Sequence, residues 1–285
     1  MWKAILSPDF FSTILRSATP ILFATLASAI AAKSGICNMA LEGIMLFSAL
    51  FGVIFSSLTN SAWLGLLITM VIGGLIGMIL AFFILNLKTD EILAAIAINL
   101  TATGGTVLIM VAFSGDRGVS SSIRSVSAPT VTLPLIEKIP FIGSVLSGQN
   151  VLTWLAILAV ILLHLFLYKT PLGLAIRAVG ENKNAAESVG ISSRKIKYIA
   201  LIISGVLASM GGFYLSGGYM NMFTKDMSGG RGFIALAASS MGGDTPVGGF
   251  LVSLLFGLAQ AVANVMQLTS LMPYEIILMV PYLTT

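Results

Sequence analysis

Between positions 62 and 87 the chain reads Ala62-Trp63-Leu64-Gly65-Leu66-Leu67-Ile68-Thr69-Met70-Val71-Ile72-Gly73-Gly74-Leu75-Ile76-Gly77-Met78-Ile79-Leu80-Ala81-Phe82-Phe83-Ile84-Leu85-Asn86-Leu87, without one charged side chain. About 20 apolar residues in a helix cross the roughly 30 Å hydrocarbon core of a bilayer. The stretch is long enough to do so. Gly73 and Gly77 stand four apart, the small-residue spacing that lets membrane helices approach closely. In a chain with 29 glycines this spacing points to helix packing and nothing more specific.

The rest of the chain has the same character. Apolar residues make up 57% and charged residues 9%, against roughly 25% charged in a soluble domain. So few charges cannot wet the surface of a soluble protein of this size, and the solvent is largely lipid. Further candidate spans are Phe11–Ala32, Gly35–Leu58, Glu91–Phe113, Val151–Tyr168, Ile196–Leu215 and Val247–Met266. Gly232–Met241 is apolar but half as long, and reads as a half-span. Pro273–Leu283 begins another apolar segment. The expected fold is an all-α polytopic transmembrane bundle of about eight spans, one of them a half-span, with an incomplete C-terminal helix. Lys3 and the stretch ending near Ala27-Ser28-Ala29 have the outline of a cleaved signal. Asp9, Arg16 and Pro20 interrupt it and further spans follow at once, so it reads as a retained span.

Lysine and arginine set the orientation. Lys169, Arg177, Lys183, Arg194, Lys195 and Lys197 cluster after the fifth span, opposed only by Glu181 and Glu187. This segment is expected in the cytoplasm. Lys33 and Lys88 then fall on the same side, while Ser114–Asn150 and the N-terminus fall outside. The outer loop carries Asp116, Arg117, Arg124, Glu137 and Lys138 with Pro129, Pro134 and Pro140, a mixed composition that reads as irregular.

Several chemistries are excluded. Cys37 is the only cysteine and His164 the only histidine, so there is no intramolecular disulfide and no usual zinc motif. No basic stretch with interleaved aromatics suggests nucleic acid. Gly-x-x-x-x-Gly-Lys-Ser/Thr is absent, so any ATP is bound by another subunit. His164, near the inner end of the fifth span, reads as a packing residue. Gly242-Gly243-Asp244-Thr245-Pro246 reads as a tight turn.

Two features could carry function. Asn38 and Glu42, four apart in the second candidate span, would share a helix face. A carboxylate in a membrane costs about 2.5–3.5 kcal/mol at the centre and therefore faces the bundle interior. The pair either hydrogen-bonds a polar substrate, or is structural, with Asn38 capping a broken helix and Glu42 satisfying the amides of a neighbour. The second feature is the segment from Gly180 to Ile191. Asn182 can cap a short helix and Gly190 can end it, with Ala185, Ala186 and Val189 as a small apolar face. That face suits a shallow groove on a partner, and an ordinary surface helix would look the same.

Four motifs, in order along nearly the whole chain, carry a resemblance. They are Arg16-Ser17-Ala18-Thr19-Pro20 and Asn38-Met39-Ala40-Leu41-Glu42-Gly43-Ile44-Met45-Leu46. The third runs from Pro171-Leu172-Gly173 to Gly180-Glu181-Asn182, Ala185-Ala186 and Gly190-Ile191. The fourth is Gly230-Arg231-Gly232-Phe233-Ile234-Ala235-Leu236-Ala237-Ala238 with Pro246 and Gly248. The set resembles the permease subunits of the simple-sugar and nucleoside class of ABC importers, closest to the nucleoside branch served by basic-membrane-protein-type lipoproteins. The resemblance implies that Gly180, Glu181, Asn182, Ala185, Ala186 and Gly190 belong to a coupling element docking on a separate ABC ATPase. It implies that Asn38 and Glu42 lie near the translocation path. It also implies an extracytoplasmic substrate-binding lipoprotein, a second and different permease chain, an inner-membrane location, and alternating access with no cofactor of its own.

Members commonly carry a complete span after the Pro-Tyr pair, whereas Pro281-Tyr282 is followed here by Leu283-Thr284-Thr285. A truncated sequence and a shortened copy both fit. Sugar-branch relatives also have a helix before Phe11, and its absence would explain an outside N-terminus. The rival reading is a stand-alone transporter driven by an ion gradient, for which the spans offer only Glu42 and His164 as a relay. A membrane enzyme has no nucleophile–base pair to support it.

Overall fold

The computed structural model describes residues 7–116, 118–132, 145 and 147–268. Lys3, Arg117, Pro134, Glu137, Lys138, Pro140, the Pro273–Leu283 segment and the Pro281-Tyr282 motif lie outside the described residues.

Local chemistry sets the helix ends. Helix α1 (Pro8–Lys33) starts with Pro8 behind the Ser7 cap, and has Asp9 in its first turn and Lys33 in its last, in line with its dipole. Helix α2 (Leu41–Thr59) ends on Asn60 in the left-handed region. Helix α3 (Ala62–Leu85) is capped by Ser61. Asp90 starts α4 (Glu91–Ser114) by accepting from the amides of Ile92 and Leu93. Asn150 caps α5 (Val151–Lys169), and Thr170 caps α6 (Pro171–Glu181). Helix α7 (Lys183–Ser188) is a single short piece. Helix α8 (Ser193–Phe213) continues into a π-helical turn, Tyr214–Tyr219. Helix α9 (Arg231–Met241) and α10 (Pro246–Leu268) follow, joined by a turn with Gly243 and Asp244 at positive φ.

Seven of these helices are long and apolar enough to cross a membrane, and α9 is the half-length eighth. The all-α bundle expected from the sequence is borne out. Its layers differ in burial. In α1 every residue from Ser17 to Ala31 is buried, and α8, α9 and α10 pack around it. The outer helices α3, α4 and α5 instead expose large side chains such as Leu67, Val71, Leu100, Leu108 and Ile161. In water such a surface would aggregate; in hydrocarbon it is the solvated face.

The Gly73/Gly77 spacing does pack helices. A Cβ at Gly73 would collide with the Gly205 carbonyl and Ser209, one at Gly77 with the Leu201 carbonyl, and one at Gly205 with the Gly73 carbonyl. Helices α3 and α8 therefore touch backbone to backbone.

Two expectations need correction. The second span was expected from Gly35, but α2 begins at Leu41. Gly35 has φ +75°, which turns the chain out of α1, and Ser34–Ala40 forms a short break. Asn38 therefore shares no helix face with Glu42. The outer loop is also less irregular than its composition suggested. Thr130–Val131 pairs antiparallel with Gln149–Asn150, and Val119 bridges Thr224.

The loops collect at two opposite ends. At one end Lys33 Nζ donates to Gly243 O (3.3 Å) and Lys197 Nζ to Gly35 O (3.5 Å), and a Cβ at Gly180 would strike the Lys33 carbonyl. At the other, Ser56 Oγ meets Ser125 Oγ at 2.9 Å, and Gln149 Nε2 donates to Ser12 Oγ at 2.8 Å. The basic residues after α5 lie at the first end, together with Lys33.

Candidate functional site

The break between α1 and α2 is built from buried polar groups. Asn38 is 1% exposed. Its Oδ1 accepts from Ala40 N–H at 3.1 Å, and its Nδ2 donates to Ser204 Oγ at 2.8 Å. Ser204 Oγ in turn donates to Ala27 O at 2.6 Å. One side chain thus ties the break to α8 and, through Ser204, to α1.

The start of α2 has no side-chain cap of its own. Asn99, from the middle of α4, supplies one. Its Oδ1 accepts from Gly43 N–H at 2.8 Å, and its Nδ2 donates to Met39 O at 2.9 Å. A Cβ on Gly43 would stand 2.8 Å from that Oδ1, so the glycine gives α4 room to approach. This satisfies one of the orphan amides that every helix start carries.

Glu42, half-buried in the first turn of α2, reaches the half-helix. Its Oε1 accepts from Gly230 N–H at 2.8 Å and its Oε2 from Gly232 N–H at 2.7 Å. The N-terminus of α9 carries the positive end of the helix dipole, a setting that binds anions. Here the anion is built in. A Cβ on Gly232 would lie 2.5 Å from Glu42 N, so only glycine lets α9 come this close. These hydrogen bonds are those of the structural alternative weighed from the sequence.

At the basic end, α7 matches the expected short helix. Asn182 Oδ1 accepts from Ala185 N–H at 3.0 Å, and Gly190 has φ +85°. Its apolar face differs from expectation. Ala186 is 4% exposed and packs into the core with Val179, Ile196 and Ala200, whereas Ala185 is exposed and Val189 is 75% exposed. Ala186 therefore belongs to the bundle side of α7, and Ala185 and Val189 to the free side. Gly180 sits against the backbone of Lys33 and Gly35, and Glu181 lines a cleft of about 520 Å³ with Lys33, Arg177 and Asp244.

His164 packs against Tyr168 at a tilt (ring centroids 4.8 Å apart, planes 37° apart), and the Arg177 guanidinium lies 4.7 Å from the Tyr168 ring. Cys37 is exposed in the break. Partial burial, then the carboxylates of Glu91 and Asp244, push its thiol pKa up. Asn99 and Ser204 were missed from sequence. Each is a polar residue well inside an apolar span, which is a signal that it faces a partner inside the bundle.

A family model described as "Branched-chain amino acid transport system / permease component" matches residues 10–283. The guanosine ABC transporter permease protein NupQ of Bacillus subtilis is 33% identical over 278 residues, covering 94% of this chain and 86% of the relative. The nucleoside ABC transporter permease protein NupC of Lactococcus lactis is 33% identical over 263 residues, 89% of this chain and 81% of the relative. A second Bacillus subtilis guanosine permease, NupP, is 26% identical over 284 residues, 97% of this chain and 80% of the relative. No solved structure matches. Similarity of this extent selects an ATP-driven permease over the ion-gradient transporter and the enzyme. Such a permease is no enzyme itself and works with an ATPase subunit and a substrate-binding partner. With its motifs in order and its helices spanning the bilayer, the chain belongs to this permease family, as a multi-pass ABC transporter component of the cytoplasmic membrane.

Proposed function

We propose that this chain forms the translocation path of an ATP-driven importer of nucleosides, with simple sugars as the alternative cargo, and that it pairs with a second, different permease chain. The observation that carries the cargo is the similarity, along nearly the full length, to relatives named for guanosine and nucleosides. The geometry agrees. Glu42 already occupies the anion-binding start of α9, so a cargo without negative charge suits the site better than an anionic one. The pairing is supported by the match to both NupQ and NupP, two guanosine permeases of one organism. Asn38 and Glu42 stand beside the path and hold its frame. The test is uptake in cells that lack their own nucleoside importers and express this chain with its genomic neighbours. Labelled guanosine should accumulate and ribose should compete poorly. Ribose uptake without guanosine uptake would replace the nucleoside by a sugar.

The orientation follows from the basic end. With Cys37→Ser as background, Ser127→Cys and Ser188→Cys place one thiol at each end of the bundle, both at exposed positions. An impermeant maleimide added to intact cells should label position 127 and spare position 188. The opposite pattern inverts the protein in the membrane.

The segment α6–α7 is the element that docks on the ATPase, through the side bearing Ala185 and Val189. Ala185→Trp should weaken co-purification of the ATPase tenfold or more and leave the permease folded. Ala186→Trp should instead lower the yield of the permease itself. Over-packing a well-packed site costs about 1–3 kcal/mol, and position 186 is buried in the bundle. Equal ATPase retention in wild type and Ala185→Trp would remove α7 from the interface.

A further inference from the structure

Helix α2 carries Phe47, Phe51 and Phe55 one turn apart. The first two rings are stacked with centroids 6.3 Å apart and planes 20° apart, the second two at 6.1 Å and 26°. The rings are half-buried, in a helix that is otherwise mostly buried. Phe47 and Phe51 line a cavity of about 640 Å³ between α2, α3 and α4, within the about 300–1,000 Å³ typical of small-molecule sites. The facing wall of α4 combines the small side chains Ala94, Ala97 and Thr101 with Leu93 and Ile98.

This cavity has a neighbour. Thr89 lines it and also lines a second cavity of about 630 Å³, with Cys37, Lys88, Asp90 and Glu91. The aromatic space thus adjoins a basin that carries charged side chains, at the basic end of the bundle. A lipid chain needs an apolar groove but neither near-parallel rings nor charged groups beside it. A molecule with a flat aromatic face and a hydroxylated sugar needs both. Stacking on aromatic side chains accepts any base, because every base has a π-face.

We propose that Phe47, Phe51 and Phe55 form a stacking track for the base of the cargo, leading to the basin at Thr89, Asp90 and Glu91, where the sugar hydroxyls meet carboxylates. This inference rests on the nucleoside reading above. The test uses the complete transporter, with its ATPase, second permease and binding protein, in proteoliposomes, and follows labelled guanosine. Phe51→Leu keeps the apolar bulk and removes the ring; uptake should fall at least tenfold in complexes that elute intact from gel filtration. Phe51→Trp restores a flat ring and should keep at least half of wild-type uptake. Wild-type uptake by Phe51→Leu, or equal loss in the Leu and Trp variants, overturns the track and leaves the nucleoside reading standing. A wild-type complex that moves ribose but no guanosine overturns that reading, and the track with it.

Discussion

Gly205→Leu is expected to leave at least tenfold less folded protein in the membrane. Helices α3 and α8 meet at Gly73, Gly77 and Gly205, and the atoms a new side chain would strike are backbone: the Gly73 carbonyl, and Gly77 Cα at 3.3 Å. Backbone cannot rotate aside as a flexible side chain can, so the helices must separate. Between membrane helices the attraction is mainly close packing, since lipid tails are as apolar as leucine. Over-packing costs about 1–3 kcal/mol even where side chains adjust, and more where they cannot. Gly74→Ala is the control, because its Cβ would meet only side chains, Val206 Cγ2 at 3.3 Å and Ile202 Cγ2 at 3.6 Å. The readout is the monodisperse peak of a fluorescent fusion and its thermal midpoint in detergent. Gly74→Ala should stay within twofold of wild type. Recovery of Gly205→Leu at wild-type amount and midpoint would mean that the two helices are not locked in this way.

The second large effect is expected at Glu42. In Glu42→Gln one oxygen can still accept, from Gly230 or Gly232, but the amide nitrogen is a donor facing a donor. One amide of the α9 start is then left without its partner, at a cost of about 1–3 kcal/mol, and the negative charge at a helix N-terminus is lost, a further 0.3–1 kcal/mol or about that. The core of α1, α2 and α8 is untouched, so the protein should still insert. The loss falls on the seating of α9. Guanosine uptake by the full complex should drop at least tenfold, and amides around positions 230–234 should exchange with solvent faster. Glu42→Asp is expected to behave similarly, since the shorter side chain cannot reach both amides. Normal uptake with unchanged exchange would show that the carboxylate is not what holds the half-helix.

Much of the bundle was legible because lipid imposes a simple rule on sequence. The stretch 62–87 has no charge to place in hydrocarbon, and α3 lies where that reading put it, Ala62–Leu85. The half-helix was legible for the same reason: Gly232–Met241 is apolar but short, and α9 spans Arg231–Met241. The start of α2 was misread because Gly35–Ala40 is nearly as apolar as a span, and its conformation rests on a glycine φ and on Asn38 bonding to Ser204, far along the chain. Asn99 escaped for a similar reason. A polar residue inside a span declares that it has a partner but not which one. For Ala186 the obstacle was length: six helical residues give too few turns for periodicity to tell the inner face from the outer.

The bare contact of Gly180 with Lys33 and Gly35 has a mechanical meaning. In a gear train, backlash is the play between teeth before motion is passed on. Side chains between two helices provide such play, because they can change rotamer and absorb a small displacement. At Gly180 there is no side chain on either α6 or the facing glycine to do so. A shift of α6 toward α1 would therefore reach the break before α2 with little play, and would bear there on the segment that leads to Glu42 and the half-helix.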